Sequence, residues 1–371
     1  MRLQAPAEIF FVNLRTENTL PTTFLYCRSG FEAECAAEAQ DRAKAVGLQG
    51  TTTATLNTGY VLFTTESTVA LEQKIPFTSF IFARQWFTVM NAYTAMPITD
   101  RVTTLMQGFN ASKESFTDIF IDTPDTNETK PLSPLCRGIF NPLIKAFEKE
   151  NKINKKSKCR AHVCFVATDA AYMGYAQENN SSPWPMGIPR LKFPREAPSR
   201  STLKLEEAML VLMTGQERSD FFKAGRRAVD LGAAPGGWSY QLVQRGMQVI
   251  AVDNANMDKA LMATEMVEHR REDGFHYRSQ RPVDWMVCDM IEQPIKIAEL
   301  VARWLVNGWC IYTIFNLKLP MKKRYTELQR CFDLLDRKLG EKKIAYHLAA
   351  KQLYHDRDEV TVFIRRVIRK Q

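Results

Sequence analysis

The sequence predicts an α/β protein, with a doubly wound domain in the C-terminal half and an α+β region before it. Three observations carry this reading. From residue 201 onward, apolar runs at 228–231, 248–253, 285–289, 310–318, 344–349 and 360–365 alternate with amphipathic segments of helical length, the pattern of strands joined by crossover helices. A glycine-rich turn, Gly232-Ala233-Ala234-Pro235-Gly236-Gly237, follows the first of these runs and opens a helix-compatible segment, as at the ligand end of an open α/β sheet. Upstream, shorter apolar runs and single helices mix without that regular alternation.

Residues 1–21 lack periodicity and read as an N-terminal extension ending at Pro21. Residues 22–92 read as a ferredoxin-like subdomain. A strand at 23–27 stops before Gly30, and 31–45 is helical, with Phe31, Cys35, Ala39 and Ala43 on one face. A strand at 59–64, a short helix at 69–74 and a strand at 85–90 complete it. Residues 93–178 form a second unit. It holds a helix at 101–109, a strand at 116–121, a helix at 142–150 and strands at 161–166 and 172–175. Residues 179–200 contain Pro183, Pro185, Pro189, Pro194 and Pro198, which excludes a regular helix and predicts a linker. Residues 201–371 begin with a helix at 202–214 and place helices at 239–245, 294–307 and 323–338 between the strands.

The chain has 371 residues, 45% of them hydrophobic, enough for two or three domains with sizeable cores. A formal net charge of +9 favours a polyanionic partner, RNA or DNA. Between 145 and 160, Lys145, Lys149, Lys152, Lys155, Lys156, Lys158 and Arg160 outnumber Glu148 and Glu150. That run is either a solvated helix end or a phosphate-binding patch. In the proline-rich segment, Arg190, Lys192 and Arg195 lie beside Trp184 and Phe193, a mixture that suits backbone and base contacts. The 8 cysteines form no C-x-x-C pair, so no metal site is expected. They read as buried free thiols of a reducing compartment. No apolar run has the length of a membrane span, and no signal-peptide core is present. A cytoplasmic monomer with no membrane partner is expected.

The glycine turn constrains the ligand. A side chain at Gly232, Gly236 or Gly237 would keep a ligand off the backbone. The spacing departs from G-x-G-x-x-G, and no Lys-Ser/Thr follows, which disfavours a pyrophosphate or a cradled phosphate. A nucleoside ligand without pyrophosphate fits, and S-adenosyl-L-methionine leads. Asp253 ends the apolar strand Val249-Ile250-Ala251-Val252, about twenty residues past the loop, where such folds hold an acid for ribose hydroxyls. Asp273 precedes the next strand and is either an adenine contact or a turn aspartate.

Four further charges stand where a reaction would occur. Asp289 and Lys318 each end an apolar run, Lys204 sits in the domain's first helix, and Glu359 opens the last strand. Ligands bind at the carboxyl edge of such a sheet, and lysine is seldom buried unpaired. Two lysines and two acids there suit methyl transfer to a ribose 2′-hydroxyl, which must lose its proton to attack. Lys318 is assigned as the base. Free lysine titrates near 10.4, and partial burial beside a second ammonium is expected to lower it. Asp289 orients Lys318, while Lys204 and Glu359 tune the charge and position the ribose.

These residues resemble the FtsJ-like RNA 2′-O-ribose methyltransferases. The likeness is carried by Ser199-Arg200-Ser201-Thr202-Leu203-Lys204-Leu205, the loop from Asp230 to Trp238, Asp289, Lys318 and Arg357-Asp358-Glu359-Val360. The resemblance places a Lys-Asp-Lys-Glu tetrad on Lys204, Asp289, Lys318 and Glu359. It places donor contacts on Ser201, Ala234, Pro235, Gly236, Gly237, Asp253, Asp273 and Asp289. Segments such as Met186-Gly187-Ile188-Pro189-Arg190 and Asn316-Leu317-Lys318-Leu319-Pro320-Met321 are most similar to a subgroup acting on large-subunit ribosomal RNA. The likeness runs from about residue 22 to the C-terminus.

That resemblance implies a Rossmann-like class I methyltransferase domain behind ferredoxin-like and THUMP RNA-binding regions, the THUMP domain at 93–178. It implies S-adenosyl-L-methionine as cofactor, and a cytidine 2′-oxygen of 23S ribosomal RNA or a large-subunit precursor as acceptor. Ala234 departs from the family, which carries cysteine there, but the loop contributes backbone. Other readings stay open on the residues alone: action on another structured RNA, a catalytically silent RNA-binding assembly factor, or a small-molecule enzyme.

Overall fold

A computed structural model describes residues 21–367. The expected N-terminal extension therefore lies outside the described residues, apart from Pro21. The chain divides into two compact units, one of residues up to 77 with 83–187, the other of residues 78–82 with those from 188 onward.

The first unit contains β1 (Thr22–Tyr26), α1 (Glu32–Ala45), β2 (Gly50–Ala54), β3 (Tyr60–Thr65), α2 (Thr68–Lys74) and β4 (Gln85–Tyr93). It continues with α3 (Arg101–Asn110), β5 (Ile119–Asp122), α4 (Ser133–Lys149), β6 (Cys159–Phe165) and β7 (Ala171–Gln177). All seven strands belong to one sheet, in the order β2-β3-β1-β4-β7-β6-β5. The antiparallel β4–β7 pair is the seam that makes it continuous. Strand β2 is a sequence Gly-Thr-Thr-Thr-Ala at the sheet edge, with no buried residue. Without apolar alternation, its β-branched threonines are its one strand signal.

Helix α4 begins at Ser133 rather than at the expected 142, so Pro142 lies inside it. A proline removes one helical hydrogen bond. The buried stripe Cys136, Ile139, Leu143 and Phe147 nonetheless runs through it, so packing outweighs local preference. Phe147 meets Phe109 and Phe116 at centroid distances of 4.8 and 5.9 Å, the centre of this half's core.

The basic run divides. Arg160 is buried, bonds Asp118 at 2.7 Å and Glu178 at 3.1 Å, and lies over the Phe120 ring. It is a structural residue. Lys145, Lys149, Lys155, Lys156 and Lys158 are exposed. The proline-rich segment is anchored within this unit where Gln85 and Ser182 exchange hydrogen bonds of 2.8 and 3.1 Å.

His162 is fully buried, and neither ring nitrogen has a hydrogen-bond partner. Its ring stacks on Phe87 and meets Phe120 edge-on. Burial, with Arg160 adding to it, lowers its pKa from 6.5 to about 3. The folded protein thus holds a neutral imidazole, while the unfolded chain binds a proton below 6.5. Stability from this site is full above that pH and falls as pH drops toward 3. His162→Phe is expected to raise stability by about 1 kcal/mol at neutral pH by removing orphaned polar atoms. It should also flatten the acid limb, as urea unfolding at a series of pH values will report.

The second unit contains α5 (Thr202–Leu212), α6 (Gly215–Phe221), β8 (Arg227–Leu231), α7 (Gly237–Val243), β9 (Gln248–Val252), α8 (Lys259–Met262) and β10 (Val267–Arg270). It continues with β11 (Trp285–Cys288), α9 (Pro294–Val306), β12 (Tyr312–Lys318), α10 (Arg324–Glu341), β13 (Tyr346–Lys351) and β14 (Glu359–Arg366). The sheet order is β10-β9-β8-β11-β12-β14-β13, and the doubly wound reading holds. From β8 the chain steps one way to β9, and from β11 the other way to β12. Right-handed crossovers then put α7 and α9 on opposite faces. Trp285 is fully buried between Phe222 and Tyr312, at centroid distances of 4.2 and 5.0 Å. The strand order reverses between β8 and β11, and that switch point opens a ligand crevice at their carboxyl ends.

Candidate active site

The sheet register assembles the tetrad. Strands β12 and β14 are antiparallel and pair Lys318 with Glu359, so both side chains leave the same face of the ladder. Asp289 directly follows β11, whose Cys288 pairs with Phe315 of β12. Lys204 comes from the first turn of α5. Lys318 Nζ donates to Asp289 Oδ1 at 2.6 Å, and Lys204 Nζ lies 3.4 Å from Asp289 Oδ2. Both ammonium groups also contact Glu359, Lys318 through Oε2 and Lys204 through Oε1. Two cations and two anions therefore alternate in a closed ring. The four side chains retain 22, 15, 16 and 5% exposure for Lys318, Lys204, Asp289 and Glu359, so the ring is largely desolvated yet open on one side.

The expected depressed pKa of Lys318 is corrected by this geometry. Burial works to lower it, but Asp289 and Glu359 together overcome burial and hold the ammonium above the ordinary lysine value. The sequence could not show that both carboxylates bond the same Nζ. At rest Lys318 is therefore an ammonium donor.

On the donor side, Ala234 N donates to Asp253 Oδ2 at 3.0 Å and Ala255 N to Asp253 Oδ1 at 2.8 Å. Pro235 O accepts from Asp258 N at 3.0 Å. Gly236 has φ +118° and caps α7, a backbone state that a side chain rarely adopts. Gly237 packs against the hydroxyls of Ser199 and Ser201, which contact each other at 2.7 Å. Asp273 closes its own turn, accepting from Phe275 N at 2.8 Å and contacting His276 Nδ1 at 2.9 Å. The Phe275 amide is the first cause of its lowered pKa, and His276 adds to it. The adjoining Gly274 packs on Met290, next in sequence to Asp289.

Sequence reasoning missed the groups behind these. Asp230 is buried under the loop and accepts from Ser239 Oγ at 2.7 Å. Burial raises its pKa to about 7, and the fields of Asp289 and Asp253 add to the rise. Glu207, one helical turn past Lys204, is buried and accepts from the amides of Tyr354 and His355 at 2.7 and 2.9 Å. It also meets His355 Nδ1 at 2.6 Å. Asn316, Thr361 and Asp356 form a buried chain behind Asp289. A polar residue in an otherwise apolar strand, as Asn316 is, was the available signal. Among the described residues no cluster of His, Cys, Asp or Glu is arranged to hold a metal ion, and no helix is long and apolar enough to cross a membrane.

Comparison with known proteins follows the same division. Residues 20–87 match the RlmM ferredoxin-like domain, 100–177 the N-terminal part of ribosomal RNA large subunit methyltransferase M, and 197–321 the FtsJ-like methyltransferase. A ribosomal RNA large subunit methyltransferase M of Histophilus somni is 46% identical over 354 residues, spanning 92% of this chain and 98% of its own. That of Edwardsiella ictaluri is 48% identical over 349 residues, spanning 92% and 93%. That of Yersinia pestis is 47% identical over 350 residues, spanning 92% and 95%. With likeness at that level along nearly its whole length, the chain belongs to the ribosomal RNA large subunit methyltransferase M family of FtsJ-like methyltransferases.

Proposed function

We propose that the chain transfers a methyl group from S-adenosyl-L-methionine to the 2′-oxygen of a cytidine in 23S ribosomal RNA or its large-subunit precursor. In this reading it acts in the cytoplasm as a monomer, and Lys318 accepts the hydroxyl proton. The observation that carries it is the closed ring of Lys204, Asp289, Lys318 and Glu359 at the ligand edge of the sheet.

The residues present fit the donor. Each Asp253 oxygen has accepted one backbone N–H, which leaves lone pairs for two ribose hydroxyls. Asp253 and Asp289 both stand close enough to Asp230 to add to the rise of its pKa, and three acids grouped there favour a cation. Ser201, Ala234, Pro235, Gly236, Gly237, Asp253, Asp273 and Asp289 would hold the donor. When bound, it supplies a sulfonium bearing an electrophilic methyl.

The chain's own part is proton management and alignment. Glu359 and Asp289 keep both lysines at one place, and Lys204 supplies a second positive charge that stabilises a developing alkoxide. An Asp289 carboxylate shared with another cation holds Lys318 less strongly, which moves the ammonium back toward its free-base form. Neutral Lys318 then takes the 2′-hydroxyl proton. Residues 93–178 serve as a THUMP RNA-binding domain, with Lys145, Lys149, Lys155, Lys156 and Lys158 as phosphate contacts. Arg190, Lys192 and Arg195, with Phe193, extend that role into 179–200.

The test is incubation with labelled S-adenosyl-L-methionine and 23S RNA that lacks the modification, then mapping of alkali-resistant linkages. One protected linkage, 3′ to a cytidine, is expected. RNA binding without ribose methylation would favour a silent assembly factor.

A pH dependence follows. The active form of Lys318 is the unprotonated one, and its neighbours hold it protonated. Single-turnover methylation should rise with pH through the neutral range, with a slope of roughly one log unit per pH unit. A flat profile measured under single-turnover conditions would rule out lysine deprotonation as the controlling step.

A further inference from the structure

We propose that Asn316, held by Thr361 and Asp356, is a positioning residue that locks the Asp289 carboxylate so that Lys318 is presented in one orientation. This rests on the reading of Lys318 as proton acceptor.

Asp289 Oδ1 receives two donors, Lys318 Nζ at 2.6 Å and Asn316 Nδ2 at 2.8 Å. Its Oδ2 faces Lys204 at 3.4 Å. A carboxylate on a single χ2 bond turns easily. The lysines are themselves long and flexible, so they fix that torsion poorly. Asn316 is rigid by comparison, being fully buried in the middle of the sheet with its strand paired on both sides.

The hydrogens assign the amide. Asp289 accepts only, so the Nδ2 of Asn316 must face it and Oδ1 must face away. That Oδ1 lies 2.7 Å from Thr361 Oγ1, its partner across the ladder in β14. The hydroxyl of Thr361 has one hydrogen and two neighbours, Asn316 Oδ1 and the Asp356 carboxyl at 3.0 Å. It can satisfy Asn316 only if Asp356 brings a hydrogen of its own.

Asp356 is 1% exposed and receives the Leu353 amide at 2.9 Å. Burial, with the field of Glu359, pushes its pKa far above the usual carboxylate range. A neutral Asp356 donates to Thr361, Thr361 donates to Asn316, and Asn316 donates to Asp289. Every hydrogen in the chain then points toward the tetrad. An ionised Asp356 would draw the Thr361 hydrogen the other way and leave the Asn316 amide free to flip.

The arrangement separates two roles for Asp356. If neutrality matters, asparagine reproduces it: the amide N–H₂ donates to Thr361 and the amide oxygen accepts from Leu353. If charge matters, asparagine fails.

The experiment compares Asn316→Ala, Thr361→Val, the pair combined, Asp356→Ala and Asp356→Asn in the full chain. Single-turnover methylation of unmodified 23S RNA is measured, along with affinities for S-adenosyl-L-methionine and RNA. Asn316→Ala is expected to slow transfer on the order of 10²-fold, and Thr361→Val about tenfold, with both affinities near wild type. The double variant should match Asn316→Ala alone, because Thr361 acts through Asn316. Asp356→Asn should turn over near the wild-type rate, and Asp356→Ala, which removes the competing acceptor and leaves the Thr361 hydrogen to Asn316, should lose less than Thr361→Val.

Near wild-type turnover in Asn316→Ala, additive losses in the double variant, or Asp356→Asn as slow as Thr361→Val would each overturn the proposal. Thr361→Val is nearly isosteric, so it carries the test if Asn316→Ala does not fold. The ¹³Cγ resonance of Asp289, identified by its loss in Asp289→Ala, gives a readout without turnover. It should shift in Asn316→Ala and Thr361→Val and hold in Asp356→Asn, and an unmoved signal overturns the chain. If the wild type methylates no site in this RNA, the substrate reading falls and the resonance alone judges the positioning.

Discussion

Lys318→Ala is expected to abolish methyl transfer while leaving affinity for S-adenosyl-L-methionine near the wild-type value. Removing a positioned general base slows a reaction by about 10²- to 10⁴-fold. Here the loss also strips one partner from both Asp289 and Glu359, so the upper end applies. Donor affinity is largely spared because the loop after β8 and Asp253 do not bond Lys318, and Asp289, the one proposed donor contact that does, keeps Lys204 and Asn316 as partners. Lys318→Arg sharpens the test. Arginine keeps the cation between the two carboxylates but does not deprotonate in proteins. It should preserve fold and donor binding and still be inactive. Single-turnover assays beside calorimetric donor titration decide this, and substantial methylation by Lys318→Ala would sink the base assignment.

Much of this site was legible because strand ends announce themselves. Asp253, Asp289 and Lys318 are charges at the ends of apolar runs, and Glu359 begins one. In an open α/β sheet those ends converge on one edge. The closure of the ring was not legible, because it depends on β14 entering between β12 and β13 and on a register pairing Lys318 with Glu359. Spacing along a chain carries no register. The raised pKa of Lys318 was hidden for the same reason. Asp230 was in view as part of the loop, but its burial, and hence its rise to about 7, needed the helix that brings Ser239 over it.

The misreadings in the fold have local causes. Helix α6 has a capping box, Thr214 with Glu217, a start signal that stood in the sequence. The amphipathic pattern of 202–214 runs into the same threonine and masks it. Strand β10, Val267-Glu268-His269-Arg270, is an edge strand with one buried residue, so it lacks the apolar pattern of its neighbours. Pro142 reads as a helix start, although Cys136 and Ile139 already set the helical stripe before it. The pairing of β4 with β7, which joins the strands of the two N-terminal pieces into one sheet, has no local signal at all.

That seam yields a large expected stability effect. Gly174→Ala is expected to destabilise the protein by about 3 kcal/mol. Gly174 sits in β7 between two antiparallel neighbours, opposite Val89 of β4 and His162 of β6. The β4–β7 register shifts at this level, between Val89 and Asn91. The irregularity brings the Thr88 carbonyl over Gly174, so that a Cβ there would overlap that oxygen and crowd the Phe87 ring. The backbone of Gly174 is ordinary for a strand, so the demand is for space rather than for an unusual dihedral. Phe87 in turn stacks on His162 and Phe24, so the displacement has no soft neighbour to absorb it. Close-packed interiors respond to added volume by shifting backbone. For a chain of this size the loss corresponds to a fall in Tm of about 10 °C or less. Thermal unfolding measures the total, and hydrogen exchange at β4 and β7 amides locates it. Unchanged protection along the seam would mean that the Thr88 carbonyl moves aside without loss of pairing, and the close-approach explanation for Gly174 would be withdrawn.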